Sequence, residues 1–140
     1  MVALQALFGA DVGGKPDRPY LDWLLDENPL PVKPVAFARL LIQGVADNRP
    51  ELDQIIQRYA PAWPVNQLSA VDRNILRLAL FELIHCPDIP RKTAINEAVE
   101  LGKIFGSDSS ARFINGVLGS VMVGLKLGEL APGKTVHGGG

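Results

Sequence analysis

The feature that most constrains the fold is a stretch in the middle of the chain that is helical in pattern and apolar nearly all round. Ser69-Ala70-Val71-Asp72 matches a capping box and predicts that a helix starts there. We expect the helix to run to about Cys86 and to stop before Pro87. Its apolar residues are Val71, Ile75, Leu76, Leu78, Ala79, Leu80, Phe81, Leu83 and Ile84. A helix of this composition is buried on most sides, so the sequence predicts a central helix surrounded by other elements.

Apolar residues recur at spacings of three and four through the rest of the chain, which indicates further helices. No run of alternating β-branched residues indicates a strand. A length of 140 residues suits one domain. We therefore predict an all-α domain over residues 1–128 and a disordered, Gly-rich tail over residues 129–140. Outside the central stretch, helices are expected at about 2–8, 19–27, 35–47, 50–59 and 91–105, with a last one after the serines at 107–110.

Three local features lead to specific structural expectations. Pro50 fits the first turn of a helix, where its missing N–H costs nothing, so it predicts a helix start. Gly106 follows the apolar pattern that ends at Phe105, which predicts a left-handed residue closing that helix. Trp63 lies between two prolines at a corner of the chain, and we expect its ring to cover the core there.

The charge balance argues against a free-standing nucleic-acid binder. The net charge is −1, whereas such proteins are usually strongly basic. Any affinity for RNA must therefore come from a local basic patch or from a complex with a basic partner.

The single cysteine and the lack of long apolar runs indicate a cytoplasmic protein. One thiol, Cys86, allows no internal disulfide, which fits a reducing compartment, and we expect it to be a buried structural residue. No stretch approaches the roughly 20 apolar residues that a membrane helix needs.

No motif in the sequence supports an enzyme, a metal site or a cofactor. There is no Gly-rich phosphate loop, and His85 and His137 are far apart in the chain. Glu97 and Glu100 share one helix face, which is more typical of a solvated surface than of an acid–base pair. Nothing assembles a nucleophile, a base and an oxyanion site, so we predict a protein without catalytic residues.

Basic and aromatic residues near helix starts are the remaining candidates for function. Arg73 and Arg77 lie one turn apart on the polar edge of the central helix, Arg91-Lys92 opens the next helix, and Arg112-Phe113 follows the serine-rich start of the last. Helix N-termini suit phosphate, and arginine beside an exposed aromatic ring suits single-stranded RNA. Taken alone, the pattern favours ordinary solvated charges and a core Phe113, and the RNA-binding interpretation stays open beside it.

Three blocks of the sequence resemble the NusB family. The first is residues 71–83, VDRNILRLALFEL; the second is residues 88–101, DIPRK followed by AINEAVEL; the third is Phe105-Gly106 with residues 112–118, RFINGVL. Their order and spacing match the family, and residues 3–8, ALQALF, resemble its first helix. The resemblance covers about residues 3 to 125.

The resemblance implies a compact bundle of about seven helices in two halves and a role in transcription antitermination. Members bind the boxA element of ribosomal-RNA leader transcripts together with the ribosomal protein NusE, within an antitermination complex of RNA polymerase. They are not enzymes, need no cofactor, and in some cases form homodimers. By the family's pattern, the RNA contacts would be Gln5, Arg77, Arg91, Lys92, Ser110, Arg112 and Phe113, and the NusE contacts would be Phe8 and Asp72.

Two features depart from the family pattern. The arginine-rich stretch that usually precedes the first helix is absent, because the chain starts at Met1-Val2-Ala3. Each lost phosphate contact would lower RNA affinity and flatten its salt dependence. Either the true start lies upstream, or this member relies more on its partner. At Ser109 many members have an acid, whereas here the acid is Asp108.

Two alternative functions stay open. One is an RNA-recognition module related to the N-terminal domain of ribosomal-RNA cytosine methyltransferases, although no cofactor-binding domain follows it in this sequence. The other is a protein-interaction module with weakened RNA binding, which the missing arginines and the net charge would fit.

Overall fold

The computed structural model describes residues 32–130, with side chains from residue 39 onward. No strand occurs in this part of the chain, so the prediction of an all-α fold is confirmed. The helices expected at 2–8 and 19–27 lie outside the described residues. The described elements are α1 (Val32–Tyr59), a 3-10 turn (Val65–Gln67), α2 (Ala70–His85), α3 (Arg91–Phe105) and α4 (Ser110–Lys126).

Helix α1 is continuous, and the expected helix start at Pro50 is wrong. Pro50 lies inside a single helix of 28 residues. A proline at this position removes the hydrogen bond to the carbonyl of Ala46, four residues earlier. Both Pro50 and Ala46 are exposed, so water is available to that carbonyl and the helix passes through the proline.

Helix α2 is the centre of the molecule, as its composition predicts. Every residue from Asn74 to His85 is buried, and α2 packs against α1, α3 and α4. The predicted cap is present, because the Ser69 hydroxyl accepts a hydrogen bond from the Asp72 N–H at 3.1 Å. The largest fully buried side chains of the core are Phe81, Leu41, Ile42, Leu52, Ile56, Ile75, Leu76, Leu80, Ile114, Leu118 and Val45.

Two glycines allow the helices to approach closely. The Phe81 ring of α2 lies against Gly44 of α1, in the space that a side chain at 44 would fill. Gly102 of α3 lies against Ala111 and Ile114 of α4, which brings these two helices together next to their connection. These contacts set how closely α1 packs on α2 and how closely α3 packs on α4.

The helix connections differ from expectation in two details. Gly106 is extended (φ −94°, ψ −171°), so the predicted left-handed cap is wrong. A glycine is needed there because a side chain would collide with Ser110. Among the described residues, the positive φ belongs to Gly128, after α4. The first two residues of the predicted tail, Glu129 and Leu130, donate backbone hydrogen bonds to the Gly124 carbonyl. Residues 131–140 lie outside the described residues.

The corner between α1 and α2 is more open than the sequence indicates. Trp63 is 56% exposed, so the expectation that its ring covers the core is wrong. Val65 and Leu68, both partly buried, pack against the core at this corner instead. Within residues 32–130, no helix is both long and apolar enough to cross a membrane.

Candidate nucleic-acid and partner surfaces

The first candidate surface is the N-terminal end of α3. Pro90 precedes the helix and supplies no side-chain cap, so the first N–H groups of α3 have no side-chain acceptor from that residue. Arg91 and Lys92 are both exposed in this first turn. The N–H groups of a helix start and two cations in one place suit an anion such as a phosphate. The predicted roles of Arg91 and Lys92 thus fit their exposure, and they stay predictions.

The second candidate surface is the N-terminal end of α4. Arg112 is exposed, and Phe113 is half-buried, with part of its ring packed against the core and part open to solvent. The two interpretations of Phe113, a core residue and an exposed ring, are therefore compatible. A ring held on one side by the core and open on the other is suited to base stacking.

The two surfaces do not form one patch. Arg91 begins α3, while Gly102, near the other end of that helix, contacts Ala111 beside Arg112. Eleven residues of helix separate Arg91 from Gly102, which is about 16 Å along the axis. A single RNA strand would have to extend over several nucleotides to meet both.

Ser110 is placed differently from the RNA contact that the family pattern assigns to it. It is 1% exposed, and its hydroxyl accepts a hydrogen bond from the Ser107 N–H at 2.9 Å. Its role in this structure is to close the turn between α3 and α4, next to Gly106. The side chain is already used inside the turn, and the RNA contact assigned to Ser110 stays a prediction.

Arg77 is also buried and paired inside the protein, and its predicted contact with RNA stays a prediction. Its guanidinium makes a bidentate pair with the Asp53 carboxylate of α1, with Nε–Oδ1 at 2.7 Å and Nη2–Oδ2 at 3.0 Å. The side chain is 4% exposed, compared with 28% for Asp53. The pair ties α1 to α2. The sequence carries no signal that pairs Asp53 with Arg77, because the two lie 24 positions apart, beyond any helical spacing.

The residues assigned to the NusE contact are only partly within the described chain. Asp72 is half-buried in the first turn of α2, where its negative charge is favourable. Its Oδ1 atom is enclosed, with no hydrogen-bond partner in the described part of the chain. Phe8 and the proposed RNA contact Gln5 lie outside the described residues. All three assignments stay predictions.

A buried carboxylic acid, Glu82, was not singled out by the sequence. It is 7% exposed, on the side of α2 that faces α3. Burial first, and the neighbouring Glu97 second, raise the pKa of Glu82 to about 7. In the sequence it is one polar letter in an apolar helix, and the acid that faces it is 15 positions further on, on another helix.

Burial limits the reactivity of the one thiol in the described part of the chain. Cys86 is buried, as expected, and burial together with Glu82 and Asp88 raises the pKa of its thiol to about 11. The thiol is therefore protonated at neutral pH and is a poor nucleophile. Within residues 32–130, no three His, Cys, Asp or Glu side chains lie close enough to hold a metal ion.

Comparison with known proteins gives consistent matches in sequence and structure. Residues 1–123 match the model of the NusB family. The chain is 53% identical over 120 residues to the transcription antitermination protein NusB of Dehalococcoides mccartyi strain CBDB1, covering 86% of this chain and 84% of that protein.

Solved structures agree. The structure of NusB from T. maritima superposes with a TM-score of 0.79 at 36% identity, covering 86% of this chain and 84% of that one. A chain from a complex of the antitermination factors NusB and NusE with dsRNA has the same fold, with a TM-score of 0.76 at 24% identity over 86% of this chain and 89% of that one.

Proposed function

Because the chain belongs to the NusB family, we propose that it is a transcription antitermination factor that binds RNA together with a NusE protein. The RNA is the boxA element of ribosomal-RNA leader transcripts, and the complex acts on RNA polymerase. The observation that carries the proposal is the 53% identity to a transcription antitermination protein over 86% of this chain.

The proposal gives RNA two points of attachment on the described surface. Arg91 and Lys92 hold phosphates at the start of α3, and Arg112 holds a phosphate at the start of α4, where Phe113 stacks on a base. Arg77 and Ser110 take no direct part, because both are buried and already hydrogen-bonded. Their contribution is to hold α1, α2 and the turn before α4 in place.

The charge of the protein explains why a second protein is needed. Binding RNA releases counterions in proportion to the phosphates that are neutralised, and a chain of net charge −1 neutralises few. A basic ribosomal protein bound alongside supplies more positive charge. In the proposal, Asp72 belongs to the surface that meets this partner.

The proposed role requires no catalysis and no cofactor, and it takes place in the cytoplasm, where transcripts are made. The buried, protonated state of Cys86 is compatible with such a compartment.

The test is a fluorescence titration of labelled boxA RNA with the protein, with and without NusE. We expect binding that is tighter with NusE present and that weakens as salt rises. The double variant Arg91→Ala/Arg112→Ala should bind at least about tenfold more weakly, since charge-assisted hydrogen bonds contribute about 1.5–3 kcal/mol each. It should also have a shallower salt dependence.

Arg49→Ala serves as the matched control, because Arg49 is an exposed arginine of α1 outside both candidate surfaces. A scrambled RNA of equal length controls for sequence. Equal binding of boxA and scrambled RNA in the presence of NusE would contradict the proposed function. Equal loss in Arg49→Ala and the double variant would contradict the two attachment points.

A further inference from the structure

Helix α3 ends on an exposed aromatic ring. Phe105 is its last residue and is 41% exposed. It comes seven residues after Ala98 and three after Gly102, which are both buried, so it lies on the face of α3 that packs against the other helices. Its neighbour Ile104 is 67% exposed and points about 100° away, towards the outer face. The Phe105 ring therefore continues the packed face of α3 beyond the point where the packing ends.

The packed face of α3 brings Phe105 next to the start of α4. Gly102 lies against Ala111, in the first turn of α4. The residue that follows Phe105 is Gly106, and it lies so close to Ser110 that a side chain at 106 would collide with the hydroxyl. Phe105 is thus held beside the first residues of α4 by contacts on both sides of it in the sequence.

An exposed cation lies between Phe105 and the half-buried ring of Phe113. Successive residues of a helix are about 100° apart, so Arg112 lies between Ala111, which faces α3, and Phe113, which is on the opposite flank of α4. The two rings are therefore separated by the width of one helix, about 10 Å. Arg112 is exposed on the surface between them, and no ion pair of the described residues engages it.

The charge of this region favours an anionic ligand. The chain as a whole has a net charge of −1, but residues 102–128 contain one acid, Asp108, and three cations. These cations are Lys103, Arg112 and Lys126. Lys103 is paired with Glu100 at 3.1 Å, which leaves Arg112 available to a phosphate beside the two rings.

Building on the proposed function, we propose that Phe105 is a second base-stacking residue. A single RNA strand crosses the start of α4, with one base on Phe105, another base on Phe113 and the phosphate backbone between them on Arg112. Aromatic rings that stack on bases, combined with arginine, are a common way of binding single-stranded RNA. Each ring needs the open face of a base, so the strand is unpaired at this point.

The test is a titration of labelled boxA RNA into the full chain with NusE present. Phe105→Leu keeps an apolar side chain and removes the ring, and we expect it to bind RNA about tenfold more weakly, within the range observed for base stacking on aromatic residues. Phe105→Tyr restores a ring and should recover most of the lost affinity. Circular dichroism verifies that both variants are folded.

Salt dependence separates stacking from charge. Stacking neutralises no phosphate, so the affinity ratio of the native chain to Phe105→Leu should be the same at low and high salt. Arg112→Ala removes a phosphate contact, so its salt dependence should be shallower than that of the native chain. A residue that acted only by holding Arg112 in place would instead change the salt dependence when it is replaced.

Two exposed side chains provide matched controls. Ile104→Ala removes an apolar side chain next to Phe105 but on the outer face of α3. Trp63→Leu removes an exposed ring from residues 59–71, a stretch that contains no charged side chain. Both variants should bind RNA as the native chain does.

Native RNA affinity of Phe105→Leu, or an equal loss in Phe105→Leu and Phe105→Tyr, would overturn the inference. Weaker binding of NusE to Phe105→Leu in the absence of RNA would assign the ring to a protein contact and would also overturn it. These outcomes leave the proposed function intact as long as the native chain prefers boxA to scrambled RNA. Loss of that preference in the native chain is the separate result that contradicts the proposed function.

Discussion

At the scale of single residues, the Arg77–Asp53 pair determines how α1 and α2 are joined. Two parallel hydrogen bonds make the pair directional as well as charged, and Arg77 Nη1 also donates to Asn74 Oδ1 at 3.3 Å. The spacing of Arg73 and Arg77 predicts a polar edge on α2, which is compatible with an RNA surface. The partner of Arg77, Asp53, lies on α1. Local spacing therefore cannot distinguish an arginine in a buried ion pair from an arginine on the surface.

Replacing Arg77 by alanine should therefore lower stability and leave the RNA surface in place. The change leaves the Asp53 carboxylate without its partner, and breaking a buried pair costs about 3 kcal/mol. Because Asp53 is partly exposed, the loss should lie at or below this figure. The measurement is the free energy of unfolding in urea.

Arg112→Ala is the comparison, since Arg112 is exposed and its loss should change stability by less than about 0.5 kcal/mol. The two arginines should thus behave in opposite ways, one in unfolding and one in RNA binding. Native stability of Arg77→Ala together with weakened RNA binding would show that the sequence-based assignment of Arg77 was the right one.

At the scale of helices, two glycines, Gly44 and Gly102, determine where neighbouring helices approach each other closely. The boundaries of α2 and α3 follow from Ser69, Pro87 and the end of the apolar pattern at Phe105, all visible in the sequence. The continuity of α1 through Pro50 could not be predicted, because it depends on which face of the helix meets the core. The role of Gly44 could not be predicted either, because its neighbour Phe81 is on another helix.

Gly44→Ala should destabilise the protein even though alanine is the better helix former. The added methyl group would occupy the space of the Phe81 ring, and overpacking of this kind costs about 1–3 kcal/mol. Thermal unfolding followed by circular dichroism at 222 nm, the usual wavelength for helices, measures the effect. We expect a lower Tm than that of the native chain.

Gly119→Ala on α4 is the matched control, because no described residue lies within 4 Å of a side chain built there. Without a collision, only helix propensity acts, and the change should raise stability by about 0.5–1 kcal/mol. A rise in Tm for both variants would mean that the Phe81 ring moves aside at little cost and that close approach at Gly44 does not fix the helix pair.

At the scale of the whole molecule, Glu82 couples global stability to pH. Its pKa rises from 4.5 to about 7 on folding, so the folded state holds this proton more tightly than the unfolded state. The contribution to stability is fully present below pH 4.5 and is lost as pH rises through about 7. The loss amounts to about 3 kcal/mol at most. In Glu82→Gln this decline should be absent, and the variant should be the more stable protein at pH 8.

Urea unfolding of both proteins from about pH 4 to pH 8 measures this difference directly, since the other titrating groups are common to the two. Identical pH profiles would mean that Glu82 titrates alike in the folded and unfolded chains.

The sequence supports the global prediction of an all-α domain because apolar periodicity is a local signal. The raised pKa of Glu82 cannot be predicted from the sequence, because it depends on burial and on Glu97, which lies on α3.

The buried thiol gives this molecule an internal reporter of its own opening. The sequence holds one cysteine, Cys86, and the folded chain leaves 1% of its surface accessible. An alkylating reagent therefore reaches the sulfur only when the packing around the end of α2 comes apart. The rate of labelling therefore reports how often the native state opens, without an added dye or an engineered label. A ligand that binds the folded state and stabilises it will lower this rate.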